Sequence, residues 1–462
     1  MLSTKQNHID DVGKSMDAVP LAAFGDATED AIALAFAEKY KDELRFDHTS
    51  GKWSKWDSAR WGIENTDLAV HYAREICRDF NQTHHDKNLP KMRTASAVEK
   101  FARADRRFAV THEHWDQNPW LLCTPEFTVD LATGSKHPND PGNNITRCTS
   151  ISPSNMPTPH WNDFLDQTTD GDKELQQFLQ QICGYSLTAS TREHALFFIH
   201  GTGGTGKTTF CNAITDVMGD YAVTAAMDTF TASKHDRHPT ELARLKGARL
   251  VTASETEQGR AWAESKIKQL TGGDVISARF MRKDFFEFTP EFKLMFLGNH
   301  KPVLHNVDEA QRRRFNIIPF NVKPPERDTH LSEKLKKEYA GILQWAVGGC
   351  RDWRANGLVV PEVVRAETEA YFSDQDVFTQ WLNESTEKKT ENTGETSARL
   401  FADWKIWAQA QGENPGTSTT FAERMITSGF RKVKHTPGDR DKRGFVGIAL
   451  EGETGTFKPY SD

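Results

Sequence analysis

The stretch HALFFIHGTGGTGKTTF constrains this chain more than any other, because Gly201-x-x-x-x-Gly206-Lys207-Thr208 follows directly on an apolar run. A backbone that curls around phosphate oxygens needs glycines, so that its N–H groups converge with no Cβ in the way. Phe210, Ile214 and Val217 then share one face of a predicted helix, whose N-terminus aims its dipole at the same anion. In the order strand, loop, helix, Lys207 is expected to neutralise the β- and γ-phosphates of ATP and Thr208 to ligate Mg2+. The phosphate cradle is expected to comprise Gly201, Thr202, Gly203, Gly204, Thr205 and Gly206, continuing through Lys207, Thr208 and Thr209.

Such a loop works with groups at the ends of neighbouring strands. Short apolar runs at 196–199, 250–253, 294–297 and 315–318 alternate with helical and loop segments, the rhythm of an α/β domain with a mostly parallel sheet. The second run leads into Glu255 and Glu257, candidates for polarising water and supporting Mg2+. Spacing leaves their division of labour open, although Glu255 is nearer the strand and is the expected metal ligand. The third run ends at Asn299, whose amide is placed to orient the attacking water, as it is also placed for an ordinary turn. Before the fourth run stand Arg312, Arg313 and Arg314, of which one is expected to stabilise transferring phosphoryl charge across a subunit boundary. Between the second and third runs, 276–281 and 285–288 read as a hairpin with Arg282, Lys283 and Asp284 at its tip. That tip is suited to gripping a strand through its phosphates.

At 462 residues the chain has room for two to four domains. Its mean hydropathy of -0.65 and lack of a long apolar run argue against a membrane span. The N-terminus has no secretory core, and the six cysteines are scattered without metal-ligand spacing. A reduced cytoplasmic setting without a structural metal is therefore expected. The net charge of -7 excludes a wholly basic coat, but nucleic-acid contact needs only a local positive surface, and 91–107, 279–283, 312–314 and 431–443 are locally basic.

Toward the N-terminus, residues 1–20 read as a tail and 28–44 as a helix. FDHTSGKWSKWDSARW reads as a hairpin turning at Ser50 and Gly51, 67–109 as helical, and WLLCTPEFTVDLATG as short strands. Leu175, Phe178, Leu179 and Ile182 share a helix face, and Gly184 is placed to stop that helix. The polar stretch 383–395 reads as a linker. Beyond it Leu400, Phe401, Trp404 and Trp407 form an amphipathic stripe, expected to be core rather than a stacking platform. A helix over 421–428 and two strands around a basic turn complete a winged-helix pattern. Arg431, Lys434 and Arg443, with Lys432, Arg440 and Lys442, are expected to contact phosphates there.

FFIHGTGGTGKTTF, ARLVTASETEQG, IKQLTGGDVISARF, KLMFLGNHKP and RRRFNIIPF, in this order, resemble the motifs of superfamily 3 helicases. The likeness is greatest to the helicase half of phage, plasmid and poxvirus primase-helicases. It extends upstream through LRFDHTSGKWSKWDSARW and downstream through SDQDVFTQWL and RGFVGIAL, covering most of the chain from about residue 25. The resemblance implies an α/β P-loop core of AAA+ type, an α+β N-terminal accessory domain and a C-terminal winged-helix-like domain. The expected division is a tail at 1–20, then 21–175, 176–365 and 366–462. It implies a ring, usually hexameric, translocating on single-stranded or forked DNA during replication of a phage, plasmid or other mobile element. Asn299 would be the first sensor, Arg313 or Arg314 the finger, and the tip around Lys283 the DNA contact in the pore. Arg312 stands where the family often has tryptophan, and the accessory region leaves no room for a primase, so either a separate primase or polymerase is an expected partner or the chain is a fragment. Two further readings stay open: an origin-melting or loading ATPase without processive unwinding, and a DNA-binding ring that nucleotide only stabilises.

Overall fold

The computed structural model describes residues 24–232, 240–254, 260–281, 284–304, 309–411 and 414–451. Glu255, Glu257, Arg282 and Lys283 lie outside them.

Thr28 opens helix α1 (Glu29–Tyr40), its hydroxyl accepting the Ala31 N–H at 3.2 Å. The expected hairpin follows as β1 (Leu44–Asp47) and β2 (Lys52–Trp56), with Gly51 at φ +68° in the turn. Strand β3 (Trp61–Ile63), helices α2 (Leu68–His84) and α3 (Met92–Ala104), and strand β4 (Ala109–Val110) complete this unit. Its sheet order is β3-β2-β1-β4, and its core holds Phe36, Phe46, Trp53, Phe80 and Phe108. A meander of β5 (Leu121–Cys123), β6 (Thr128–Asp130) and β7 (Lys136–His137) leads to α4 (Pro159–Thr168) and α5 (Lys173–Ser186). Leu122, Val129 and Leu131 of this connection pack with the next unit rather than with the first.

The central unit runs β8 (Leu196–His200), α6 (Lys207–Met218), β9 (Ala222–Thr224), α7 (Thr240–Ala243), β10 (Leu250–Ser254) and α8 (Glu264–Gly272). The hairpin β11 (Ile276–Ala278) and β12 (Phe286–Phe288) precedes β13 (Lys293–Gly298), α9 (Glu309–Arg312), β14 (Phe315–Pro319), α10 (Leu331–Asn356) and α11 (Glu362–Gln375). Five strands form one parallel sheet in the order β14-β8-β13-β10-β9. Four were expected; β9 is the addition, too short and half-exposed to announce itself. Side chains alternate between two cores, as a parallel sheet covered on both faces requires. Phe197, Ile199, Met295 and Ile318 pack against α4, α5, α6 and α10, while Leu196, Phe198, Phe296 and Ile317 pack against α8, α11 and the small hairpin.

Gly184 does not stop α5, which continues to Ser186. A Cβ there would sit 2.0 Å from the Cys350 amide nitrogen, and one at Gly349 would sit 2.0 Å from the Gln180 carbonyl oxygen. The glycine serves a close crossing of α5 and α10, which local sequence does not reveal.

The C-terminal unit comprises α12 (Val377–Ser385), β15 (Thr386–Lys388), β16 (Gly394–Thr396), α13 (Ser397–Ala410), α14 (Ser418–Thr427), β17 (Arg431–Val433), β18 (Gly444–Val446) and β19 (Ile448–Leu450). The stretch read as a linker is built instead into α12, β15 and β16, because β19 and β18 return to pair with those strands. Phe378, Trp381, Leu400, Trp404, Phe421 and Phe445 form its core, so the aromatic stripe is largely interior. Tyr371 and Phe372 of α11 pack with the central sheet, so the packing changes hands around Asp376, beyond residue 365. No helix among the described residues is long and apolar enough to cross a membrane.

Candidate nucleotide site

The loop 201–206 leaves the carboxyl end of β8, which is flanked by β13 and β14. After β8 the chain crosses to the far edge at β9, so a crevice opens where strand order reverses. A Cβ at Gly201 would lie 1.9 Å from the Phe320 carbonyl oxygen. Gly206 has φ +91°, and a Cβ there would meet Thr168 Cγ2 at 2.6 Å and Phe164 Cε2 at 2.8 Å. Only glycine fits either position. Helix α6 starts at Lys207, so the unsatisfied N–H groups of its first turn face the loop.

Lys207 is 8% exposed, and its Nζ donates to the carbonyl oxygens of Gly201 at 2.7 Å and Thr202 at 2.8 Å. Burial pushes its pKa below the ordinary lysine value. A nearby phosphate would favour the charged form, and Nζ is held by carbonyl oxygens that phosphate oxygens could replace. Thr205 Oγ1 donates to the Thr202 carbonyl at 3.0 Å and braces the loop, while Thr208 is exposed next to it, where its hydroxyl suits Mg2+. These residues fit a nucleoside triphosphate with its metal.

Gly298 of β13 pairs with His200, so Asn299 emerges beside Gly201 as expected. The His200 Nε2 donates to the Asn299 carbonyl at 3.2 Å, and its Nδ1 stands 4.0 Å from Glu367 Oε1. That same carboxylate oxygen takes Lys301 Nζ at 2.5 Å. A single carboxylate on α11 therefore meets the residue before the loop and a residue two positions after Asn299. Burial first, and the Lys301 charge second, hold the His200 pKa below its usual value. Sequence reasoning missed His200, Lys301 and Glu367; the two former flank recognised motifs, but nothing local points to Glu367. On the other side of β13, β10 ends at Ser254, opposite Leu297, and leads toward Glu255 and Glu257, which lie outside the described residues.

The arginines sit elsewhere. Phe315 pairs with Leu196 and Pro319 with His200, which places Arg312, Arg313 and Arg314 at the opposite edge of the sheet from the loop. Four residues of strand separate the two edges by roughly 13 Å. Arg312 is bound to Glu369, its Nη1 at 2.9 Å from both carboxylate oxygens, and lies over Phe372 at 5.0 Å. Arg314 donates to the Ala310 carbonyl at 2.6 Å and to Thr271 Oγ1 at 3.2 Å. Arg313 is the outward one, with its side chain 75% exposed and, among the described residues, only a one-turn ion pair to Glu309 at 3.1 Å.

Of the remaining basic candidates, Arg431 pairs with Glu391 at 3.1 Å, whereas Lys434 and Arg443 are exposed around the β17–β18 turn. The β11–β12 ladder closes at Ala278 and Phe286, shorter than expected, so Arg279, Phe280, Met281 and Phe285 belong to the tip that also contains Arg282 and Lys283 in sequence.

A family model described as "D5 N terminal like" matches residues 33–170, and a family of unknown function (DUF5906) matches 199–314. A provisionally named helicase of Acanthamoeba polyphaga mimivirus is 26% identical over 320 residues, covering 63% of this chain and 33% of its own length. One from Frog virus 3 (isolate Goorha) is 25% identical, covering 60% of this chain and 29% of its own length. One from Invertebrate iridescent virus 6 is 23% identical, covering 76% of this chain and 40% of its own length. The chain thus spans about a third of the length of the curated relatives it matches. In fold it is similar to the apo structure of the NrS-1 C terminal region, at a TM-score of 0.53 and 11% identity, covering 92% of this chain and 100% of that one. In sequence these likenesses are to provisionally named viral helicases, and in fold to the NrS-1 C terminal region.

Proposed function

We propose that this chain is an ATP-dependent DNA helicase of superfamily 3, working as a ring, with a hexamer as the expected size, during replication of viral or other mobile DNA. The observation that carries the reading is the separation of two half-sites on one sheet. The phosphate cradle lies at the carboxyl edge of β8, and Arg313 projects from the amino edge of β14, too far to serve its own loop. Head-to-tail packing of copies brings one chain's Arg313 to the next chain's cradle, and repetition of that contact closes a ring. Arg314 is the less suited finger, because its guanidinium is already held by Ala310 and Thr271.

In this mechanism Lys207 leaves the Gly201 and Thr202 carbonyls for the β- and γ-phosphates of ATP, and Thr208 with Glu255 would hold Mg2+. When bound, that ion would supply positive charge to offset charge on the transferred phosphoryl group. Glu255 and Glu257 take up the water's proton and support the metal, Asn299 orients that water, and the neighbour's Arg313 stabilises developing charge. The β11–β12 hairpin, with Arg282 and Lys283, contacts the DNA strand, and the nucleotide state of each subunit moves it. The winged-helix-like C-terminal unit adds phosphate contacts through Arg431, Lys434 and Arg443. A separate primase or polymerase is the natural partner for such a motor, and both act in the cytoplasm of the infected or host cell.

Replacing Lys207 with Ala is expected to lower DNA-stimulated ATP turnover by about a hundredfold or more, since a preorganised charge on the reacting phosphate is lost. Turnover that survives this change sinks the proposal. Strand displacement from a forked duplex in the wild-type protein, with ATP, separates a helicase from an ATPase that only melts or loads.

A further inference from the structure

Fourteen large apolar side chains stand exposed among the described residues, and four of them, Val275, Phe280, Met281 and Phe285, fall in one short segment. Single exposed apolar residues need no explanation, but a cluster of this density marks a contact surface. The segment is the β11–β12 hairpin, whose ladder ends at Ala278 and Phe286, so Phe280, Met281 and Phe285 project beyond the paired strands. The rings have near neighbours. Phe280 stacks on Phe286 with 5.7 Å between centroids and 26° between planes. The Arg279 guanidinium lies 4.6 Å over the Phe285 ring, and Lys246 Nζ lies 5.0 Å over Phe286.

Aromatic faces interleaved with cations match a single strand of nucleic acid, whose bases stack on rings while its phosphates pair with the charges. An apolar protein pocket would have to desolvate Arg279 along with the rings, whereas a strand supplies an anion for that cation. We infer that the hairpin tip is a base-stacking subsite for single-stranded nucleic acid, with Phe280 and Phe285 meeting base faces and Arg279 an adjacent phosphate. The inference rests on the strand-contact reading of the hairpin given above and adds that the grip is through bases as well as phosphates. Arg282 and Lys283 lie outside the described residues, and nothing in it depends on them.

The test is fluorescence anisotropy of the full chain with labelled oligodeoxythymidine and with an abasic strand of equal length at one salt concentration. The wild-type protein is expected to favour the base-bearing strand by about tenfold. Phe280→Ala with Phe285→Ala abolishes that preference and leaves abasic binding intact, which also shows that the variant is folded. Phe280→Trp with Phe285→Trp retains the preference, and Arg279→Ala weakens both strands alike. Equal wild-type binding of the two strands overturns the stacking subsite but leaves strand contact standing. So does a double alanine variant that loses both affinities equally while the tryptophan pair keeps them. Wild-type binding to neither strand removes the reading beneath it. A double alanine variant that keeps the base preference but loses assembled mass in sedimentation assigns the tip to a second copy of the chain and overturns the inference.

Discussion

His200 ends β8, touches the Asn299 carbonyl through one ring nitrogen and faces Glu367 with the other, so its protonation bears on the edge of the candidate nucleotide site. Its pKa is held down by burial and then by Lys301, which leaves the imidazole neutral where an unfolded histidine, at about 6.5, begins to charge. As pH falls through that value the unfolded chain takes up protons first. The stability contributed by this site is therefore intact above about 6.5 and is lost as pH falls toward the lower folded value. Between pH 7.5 and 5.5, His200→Gln is expected to lose less stability in urea unfolding than the wild-type protein. The difference is capped at about 1.4 kcal/mol for each tenfold by which folding weakens proton binding to the ring. Equal losses would remove His200 from the account. Lys207 was legible because its motif is contiguous, and it sits where the motif requires. Glu367 was illegible because its meeting with His200 and Lys301 exists only once α11 docks on the sheet.

Helices α5 and α10 approach so closely that backbone meets backbone at Gly184 and Gly349. Two effects oppose one another when Gly349 becomes alanine. Helix propensity favours the change by about 1 kcal/mol, but an added Cβ meets the Gln180 carbonyl oxygen at 2.0 Å, and backbone cannot swing aside as a side chain can. Overpacking of this kind costs about 1–3 kcal/mol, so the net expectation is destabilisation, read as a lower urea midpoint. A raised midpoint would mean that the helices separate freely. The hydrophobic period predicted α5 itself, since Leu175, Phe178, Leu179 and Ile182 are all buried on one side. The same glycine is compatible with stopping a helix and with letting a second helix through, and only the position of α10 decides between them. The stretch 383–395 misled in a parallel way, because a polar strand at a sheet edge has the composition of a linker until its partner strand is known.

The parallel sheet gives the central unit its polarity: the glycine-rich loop at one edge, Arg313 at the other. If neighbouring chains complete one another, Lys207→Ala and Arg313→Ala chains should each be nearly inactive alone and regain activity when mixed. Random head-to-tail mixing leaves about a quarter of the interfaces with both residues intact, so DNA-stimulated turnover should recover toward that fraction. No recovery in an assembly shown by sedimentation to contain both chains would place the arginine's role within its own subunit. An Arg314→Ala chain that complements in place of Arg313→Ala would move the finger by one residue.

By itself the sequence determined the local chemistry: a strand, a glycine-rich loop and a helix carrying Lys207 and Thr208, apolar runs at the spacing of a parallel sheet, and an aromatic stripe that became core. These depend on residues within a turn or two of each other, where backbone geometry and hydrophobic period act directly. The tertiary structure alone decided the strand order, the edge on which each motif lies, and which of three adjacent arginines is outward. It also revealed the carboxylate of α11 beside the loop and the aromatic character of the hairpin tip. Each of these depends on register and packing between segments far apart in the chain, and those are set by the whole folded free energy rather than by any window of sequence.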